Sequence, residues 1–325
     1  MLTIRKAAVG VGVLRARFSQ RPRPVIIGWA LTNRCNLRCR YCNMPNVDEV
    51  ELPTAKVVSI INELAELGCR SIAFTGGEPL LREDLRTIVR HCRSRRIYTT
   101  VTTNGTFVGE ICGISSDVDQ INLSFDGPKA VQDAVRGPGS YDSVMELLRA
   151  LPRGKVTLSC VLHRHNFDQL DFVLAIAKAS GARAHFQPVS DIHYCGSASA
   201  DLSLCDEDLR HAILSLLARK RDFPIMNSRA GLKHFLTYRT ATRKRCAAGK
   251  ASFRITASGS LLACHRQLNA STASLASRPV REAIRWTEDP ECYRCCLANG
   301  VELAQCYYLN PEALWDAATS FVGLG

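Results

Sequence analysis

No stretch of the chain reaches the roughly 18 consecutive apolar residues that a membrane span requires. Nothing after Met1 reads as an export signal either: Arg5 and Lys6 precede AAVGVGVL, but Arg15 and Arg17 follow it directly, without a small-residue cleavage pattern. A cytoplasmic protein is expected. The dinucleotide fingerprint GxGxxG and the phosphate loop GxxxxGK[ST] are both missing, which removes the usual grounds for a nicotinamide or nucleotide enzyme. Acidic residues are scarce, 30 against 42 basic ones, and the formal charge is +12. Such a charge raises nucleic acid as a partner. The arginines, however, fall in separate patches (15–23, 90–96 and 239–245), with no interleaved aromatics and no helix-turn-helix or zinc-finger spacing. No nucleic-acid partner is expected.

Cysteine is abundant. There are 15 among 325 residues, in two tight groups plus scattered singles. Without an export signal, grouped thiols point to metal binding, not to disulfides. With 46% apolar residues, the chain suffices for a large α/β core and a smaller attachment.

Residues 1–24 are basic and loosely apolar and end in RPRP, a pattern that suits a helix laid against the body or on a membrane surface. Strand patterns follow at 25–32, 71–74, 97–103, 120–125, 155–162 and 184–189. Helical patterns lie between them at 54–68, 83–93, 140–150 and 168–180. Six strand-to-helix repeats give a parallel sheet with right-handed crossovers, curled into a partial (β/α)6 barrel of the TIM type over residues 25–190. Residues 191–245 read as a helical bridge, with helices near 205–221 and 228–238. From 246 to 325 the texture changes to a β-hairpin around Ser258 and Gly259, a short helix near 279–286, a cysteine-rich loop and a last helix near 311–320.

The strongest chemical signal is CNLRCRYC, in which Cys35, Cys39 and Cys42 are spaced C-x3-C-x2-C directly after the first strand. Three close thiolates on an iron–sulfur cube leave one iron open for a chelating ligand. A zinc loop would want a fourth ligand nearby, and Asn36, Asn43 and Asn46 are poor ones. The pattern resembles the radical S-adenosylmethionine (SAM) superfamily. In that family the open iron of a [4Fe–4S] cluster binds SAM, and reductive cleavage yields a 5′-deoxyadenosyl radical that abstracts hydrogen.

The resemblance continues along the barrel. Gly76, Gly77, Glu78 and Pro79 are similar to the loop that meets the SAM amino group. Tyr41 resembles the aromatic beside the adenine. Asn104 closes the TTNG segment of the third strand. NLSFDGP implies Ser124 and Asp126 near the ribose and carboxylate, and VRGPGSYDSV implies Arg136 at the carboxylate. His163, Asn166 and Gln187 are candidates to face the adenosyl group or substrate. Each of these polar residues has an ordinary alternative as a turn or loop cap.

The second cysteine group is Cys246, Cys264, Cys292 and Cys295. A hairpin brings the first two together, and CYRC supplies the others. Spacing alone leaves a [4Fe–4S] cluster and structural zinc both open. C-x12-G-x4-C followed by C-x2-C resembles the twitch domain, the short form of the SPASM domain, and this resemblance implies one auxiliary [4Fe–4S] cluster. Cys296, Cys195 and Cys306 then remain as candidate hydrogen donors, and Cys306 as a replacement ligand. Cys69, Cys92 and Cys160 read as core residues.

From the resemblance, a small polar substrate is expected: a sugar, aminocyclitol or nucleoside undergoing epimerisation; the basic surface suits an acidic electron donor such as flavodoxin or ferredoxin. Dehydrogenation through the auxiliary cluster and peptide crosslinking are the alternatives. The 24 residues before the first strand are too few for the leader-binding domain many peptide maturases carry.

Overall fold

The computed structural model describes residues 2–190, 200–242, 245–264, 273–287 and 292–322. The six expected parallel strands are present: β1 (Ile26–Thr32), β2 (Ser71–Gly76), β3 (Tyr98–Thr103), β4 (Gln120–Ser124), β5 (Val156–Leu162) and β6 (Arg183–Pro188). They pair in sequence order. The helices before and between them are α1 (Leu2–Arg17), α2 (Thr54–Glu66), α3 (Leu85–Ser94), α4 (Val108–Ile114), α5 (Lys129–Arg136), α6 (Ser140–Ala150) and α7 (Leu170–Ser180). Next come α8 (Asp206–Arg219) and α9 (Arg229–Phe235), strands β7 (Ser252–Ile255), β8 (Ser260–Leu262) and β9 (Ala273–Ser274), and helices α10 (Val280–Ala283), α11 (Ala298–Tyr307) and α12 (Pro311–Val322).

Strand alternation divides the sheet into two faces. Ile27, Trp29 and Leu31 of β1, Ile72 and Phe74 of β2, Val101 of β3, Ile121 and Leu123 of β4, Leu158 and Cys160 of β5 and Phe186 of β6 are buried in one apolar cluster with the covering helices. Burying each large apolar side chain contributes roughly 1.5–3 kcal/mol. Cys69, Cys92 and Cys160 lie in this cluster, as core residues should. The other face carries small and polar groups. Gly28 aligns with Ala73, Ala73 with Thr100 and Thr100 with Gln120. Further along, Thr102 aligns with Asn122, and Ser124 with Ser159 and His185. This polar face lines the concave interior.

Both ends of the barrel sheet are extended. At the β1 edge, β7 pairs in parallel with β1 and begins the hairpin to β8, so the C-terminal segment starts as a continuation of the barrel sheet. At the β6 edge, residues 224–227 serve as a partial strand. Ala184 N–H donates to Pro224 O (2.9 Å), Met226 N–H donates to Ala184 O (2.7 Å), and the Asn227 carboxamide exchanges two bonds with the backbone of Phe186. The bridge thereby satisfies an edge whose unpaired backbone groups would otherwise be exposed.

The amino-terminal segment lies against the body. The α1 residues Val13 and Ala16 are buried with Val25, Ala247, Ala251 and Tyr307. Arg5 pairs with Asp119 at 2.7 Å, and the Arg17 guanidinium lies over Tyr307 and Tyr308. Helices α4 and α11 were not anticipated from sequence. Gly109 and Gly113 interrupt α4, and Asn299 and Gly300 open α11. Buried Ile111 and Ile114, and buried Val301, Ala304 and Tyr307, outweigh that poor propensity.

Candidate functional site

The loop carrying Cys35, Cys39 and Cys42 leaves the carboxyl end of β1 and is held from three sides. On the first, the GGEP loop packs straight onto its backbone. Gly77 N–H donates to Thr32 O and Glu78 N–H to Arg34 O, both at 2.8 Å. A Cβ at Gly76 would stand 2.0 Å from Thr32 O, and one at Gly77 2.0 Å from Arg34 O. Only glycine allows this approach. Pro79 follows, buried, at the start of a 3-10 turn over Pro79–Leu81.

Glu78 is fully buried. Its carboxylate accepts from Leu80 N–H (3.2 Å) and Asn104 N–H (2.8 Å). Burial pushes its carboxyl up to about 7, against the pull of those backbone donors. Asn104 passes the tie onward: its Nδ2–H donates to Asn36 Oδ1 at 2.9 Å and lies 3.8 Å from Cys35 Sγ. The loops after β2 and β3 thus fix the first cysteine.

Asp126, at the end of β4, forms the third tether and is completely buried. It accepts from Arg136 Nε (2.7 Å) and Nη2 (3.2 Å), from Tyr41 Oη–H (2.8 Å) and from Val161 N–H (2.9 Å). The Arg136 guanidinium lies over the Tyr41 ring, 5.4 Å from its centroid. Arg40 N–H donates to Val135 O, and Cys39 Sγ lies 3.9 Å from Arg136 O. Arg136 and Asp126 spend their charges largely on each other. In this structure they hold Tyr41 and the cysteine loop against the barrel.

Asn166 is consumed within its own loop. Its Nδ2–H group donates to Asp126 O and Val161 O, and its Oδ1 accepts from His163 N–H. It positions the end of β5, with both amide hydrogens engaged by backbone carbonyls. His163 Nδ1 accepts from His165 N–H at 3.2 Å, which places the ring proton on Nε2, and burial pulls its pKa down to about 4. Ser124 and Gln187 stand half-buried on the concave face.

Sequence reasoning missed Arg254. Its register partner on β1 is Gly28, and a Cβ at Gly28 would stand 2.2 Å from Arg254 Nη1. The guanidinium therefore lies across the concave face. A lone glycine inside VIIGWALT was the available signal.

The cysteine-loop thiols suit a multivalent cationic core. Burial pushes Cys39 up to about 11, Arg136 draws it back, and Cys42 and Cys35 raise it again by like-charge repulsion. Cys35 is raised by burial first and then by Glu78 and Cys42. Three neighbouring thiolates here need a compensating cation. The second group behaves similarly: burial raises Cys295 strongly, and Cys246, Cys296 and Cys264 add repulsion. Cys292 is half-buried at the start of the same loop. Cys296 is buried, with Sγ 3.5 Å from Ser190 Oγ. Cys306 lies on α11 near Glu302, and Cys195 lies outside the described residues. Among the described residues, no three His, Cys, Asp or Glu side chains are grouped closely enough to hold a single metal ion.

Residues 29–175 match the family model of the radical SAM superfamily. The PqqA peptide cyclase of Rhodopseudomonas palustris is 30% identical over 74% of this chain and 67% of its own length. Mycofactocin maturase MftC of Mycolicibacterium smegmatis is 34% identical over 49% of the chain and 43% of its own length. Pre-heme d1 synthase of Dinoroseobacter shibae is 30% identical over 59% and 48%. Overall, the chain spans about half the length of the first curated relatives it matches. Among solved structures, Streptococcus suis SuiB bound to S-adenosylmethionine superposes with a TM-score of 0.67 at 17% identity, covering 83% of this chain and 67% of SuiB. SuiB is also known bound to its precursor peptide SuiA. The anSMEcpe structure with bound AdoMet gives a TM-score of 0.65 at 17% identity, covering 91% of this chain and 99% of that one.

These relatives correct two expectations. The expected small sugar-type substrate and its epimerisation are overturned, because the relatives are named for PqqA peptide cyclisation, mycofactocin maturation and pre-heme d1 synthesis. Of the candidate hydrogen donors, Cys296 is buried, as ordinary core cysteines are, and Cys306 is half-buried. The small-molecule partner is corrected with it. The short segment before β1 had weighed against a peptide, and it does not carry that argument.

Proposed function

The chain belongs to the radical SAM superfamily, and we propose that it carries a SPASM/twitch-like auxiliary segment and modifies a precursor peptide, forming a thioether or carbon–carbon crosslink. The observation that carries this reading is the likeness to a peptide cyclase across 74% of the chain.

In this reading Cys35, Cys39 and Cys42 hold a catalytic [4Fe–4S] cluster, and Cys246, Cys264, Cys292 and Cys295 hold an auxiliary one. When bound, the cluster and SAM together supply the 5′-deoxyadenosyl radical that takes a hydrogen atom from the substrate. The protein's own part is placement. Gly76 and Gly77 let the β2 loop reach the cysteine loop, and Glu78 and Asn104 fix its first thiol. Tyr41, Asp126 and Arg136 fix the second, and Ser124, His163 and Gln187 line the approach at the carboxyl ends of the strands. The concave face, polar from Thr100 to Gln187, offers hydrogen-bonding groups to a peptide backbone entering from the open end.

The test is anaerobic reconstitution followed by reduction with SAM and a panel of candidate peptides. Peptide-dependent 5′-deoxyadenosine and a product lighter by two hydrogen atoms support the reading. Turnover triggered by a tetrapyrrole or another small molecule, and by no peptide, refutes it.

A further inference from the structure

Residues 1–24 contain six basic residues and no acidic one. One face of α1 is docked, through Val13, Ala16 and the Arg5–Asp119 pair. Among the described residues, nothing covers the opposite face. Ile4 is 72% exposed and Val11 48%, at helical spacing with Ala8, and Phe18, just past the end of α1, is 71% exposed. Beside this stripe, α1 and the turn between α2 and β2 enclose a cavity of about 300 Å³. Its walls are Ile4, Val11, Val25 and Leu67. Its rim is Arg15, Arg23 and Arg70, and no acidic side chain lines it. An exposed apolar stripe leading into a cationic groove is the form of surface that receives an amphipathic helix.

We propose that this groove docks an acidic, amphipathic segment of the peptide substrate, outside the part that reacts. Charge complementarity selects the occupant, because three arginines around an apolar floor favour apolar anchors flanked by Glu or Asp. Concavity separates it from a lipid bilayer, which presents no protruding side chain to fill a cavity. The groove also lies at the far end of the barrel from the cysteines. Val25 and Arg70 precede β1 and β2, whereas the cysteine loop follows β1. Strand β1 alone spans roughly 20 Å at about 3.3 Å per residue. A docked segment must therefore be joined to the reacting residues by at least about seven extended residues.

The inference rests on the peptide reading, and the two can fail separately. The probe is a fluorescein-labelled peptide of Glu and Leu, with Leu at helical spacing, and its control replaces each Glu with Lys. Anisotropy with the full reconstituted chain should show binding of the acidic probe only, weakening with salt. Val11→Asp and the double change Arg15→Glu/Arg23→Glu should each weaken binding by about tenfold or more. Arg149→Glu, an exposed change on α6, should bind as the unaltered chain does, and melting curves check folding of every variant. Equal binding of both probes, or indifference to the groove variants, overturns the docking site. So does co-sedimentation with phosphatidylglycerol vesicles that the groove variants abolish while probe binding persists. If probe binding behaves as expected but no peptide ever triggers SAM cleavage, the docking site stands and the proposed reaction falls.

Discussion

Replacing Asp126 by Asn preserves the size of the side chain and removes one charge from the most heavily connected buried group near the cysteines. Asp126 accepts four hydrogen bonds, two of them from a guanidinium only 6% exposed. Hydrogen bonds to a charged group contribute about 1.5–3 kcal/mol each, but the native pair has already lost much of that to desolvation. The larger effect comes from what remains: Arg136 would stay buried with no counter-charge, and the new amide would turn an N–H toward donors on Arg136 or Val161. Breaking a buried pair in this way costs about 3–5 kcal/mol, a large share of the roughly 5–15 kcal/mol that holds a domain together. Urea unfolding under anaerobic conditions should report that loss. Iron retention should fall as well, because Tyr41 and the Arg40–Val135 bond hold the cysteine loop to this clamp. The paired change Asp126→Leu/Arg136→Leu should cost less than Asp126→Asn alone, since it buries no orphaned charge. A loss below about 1 kcal/mol for Asp126→Asn would refute the reasoning, because that is the range of an exposed pair.

Glu78 gives a test in pH. Its carboxyl rises from 4.5 to about 7 on folding, so the folded state holds the proton more tightly than the unfolded one. Its contribution is fully present below pH 4.5 and is lost as pH climbs through 7, a change of about 3 kcal/mol. The stability difference between Glu78→Gln and the unaltered chain should shift toward the variant by that amount across the interval, whatever constant offset the lost hydrogen bond adds. A flat difference curve rejects the raised value. Gly77→Ala places a methyl against Arg34 O and should cost about 1–3 kcal/mol while lowering iron uptake at the first site, read by iron and sulfide analysis. Cys264→Ala or Cys295→Ala should remove about four of roughly eight irons per chain, whereas Cys296→Ala should leave the iron count unchanged. Equal iron loss from Cys296→Ala would make it a ligand.

The barrel was legible because each strand announces itself by β-branched and apolar residues, and each long helix by a repeat that buries one face. TAKVVSIINELAE buries Val57, Ile60, Ile61 and Leu64, the same positions its spacing selects. Where local propensity opposes tertiary packing, the pattern misleads, as with the glycines of α4 and the Asn-Gly start of α11. The parallel pairing of β7 with β1 is a contact across more than two hundred residues, and no local signal encodes it.

The site residues divide the same way. Three cysteines within eight residues are visible to anyone who counts, because a short loop forces them together. What Asp126, Arg136, Glu78 and Asn166 do is not visible, because a polar residue at a strand end can face a ligand or tie a loop. The structure shows all four bonded to neighbouring backbone or to each other. That division has a physical reason. A loop bearing several thiolates is held in place by its metal only once the metal is bound, so the polypeptide must bring the loop close to its final position beforehand. Buried charge and backbone tethers do this. Glu78, Asp126 and Arg136 thus tie the cysteine loop to the strand ends through bonds made within the chain.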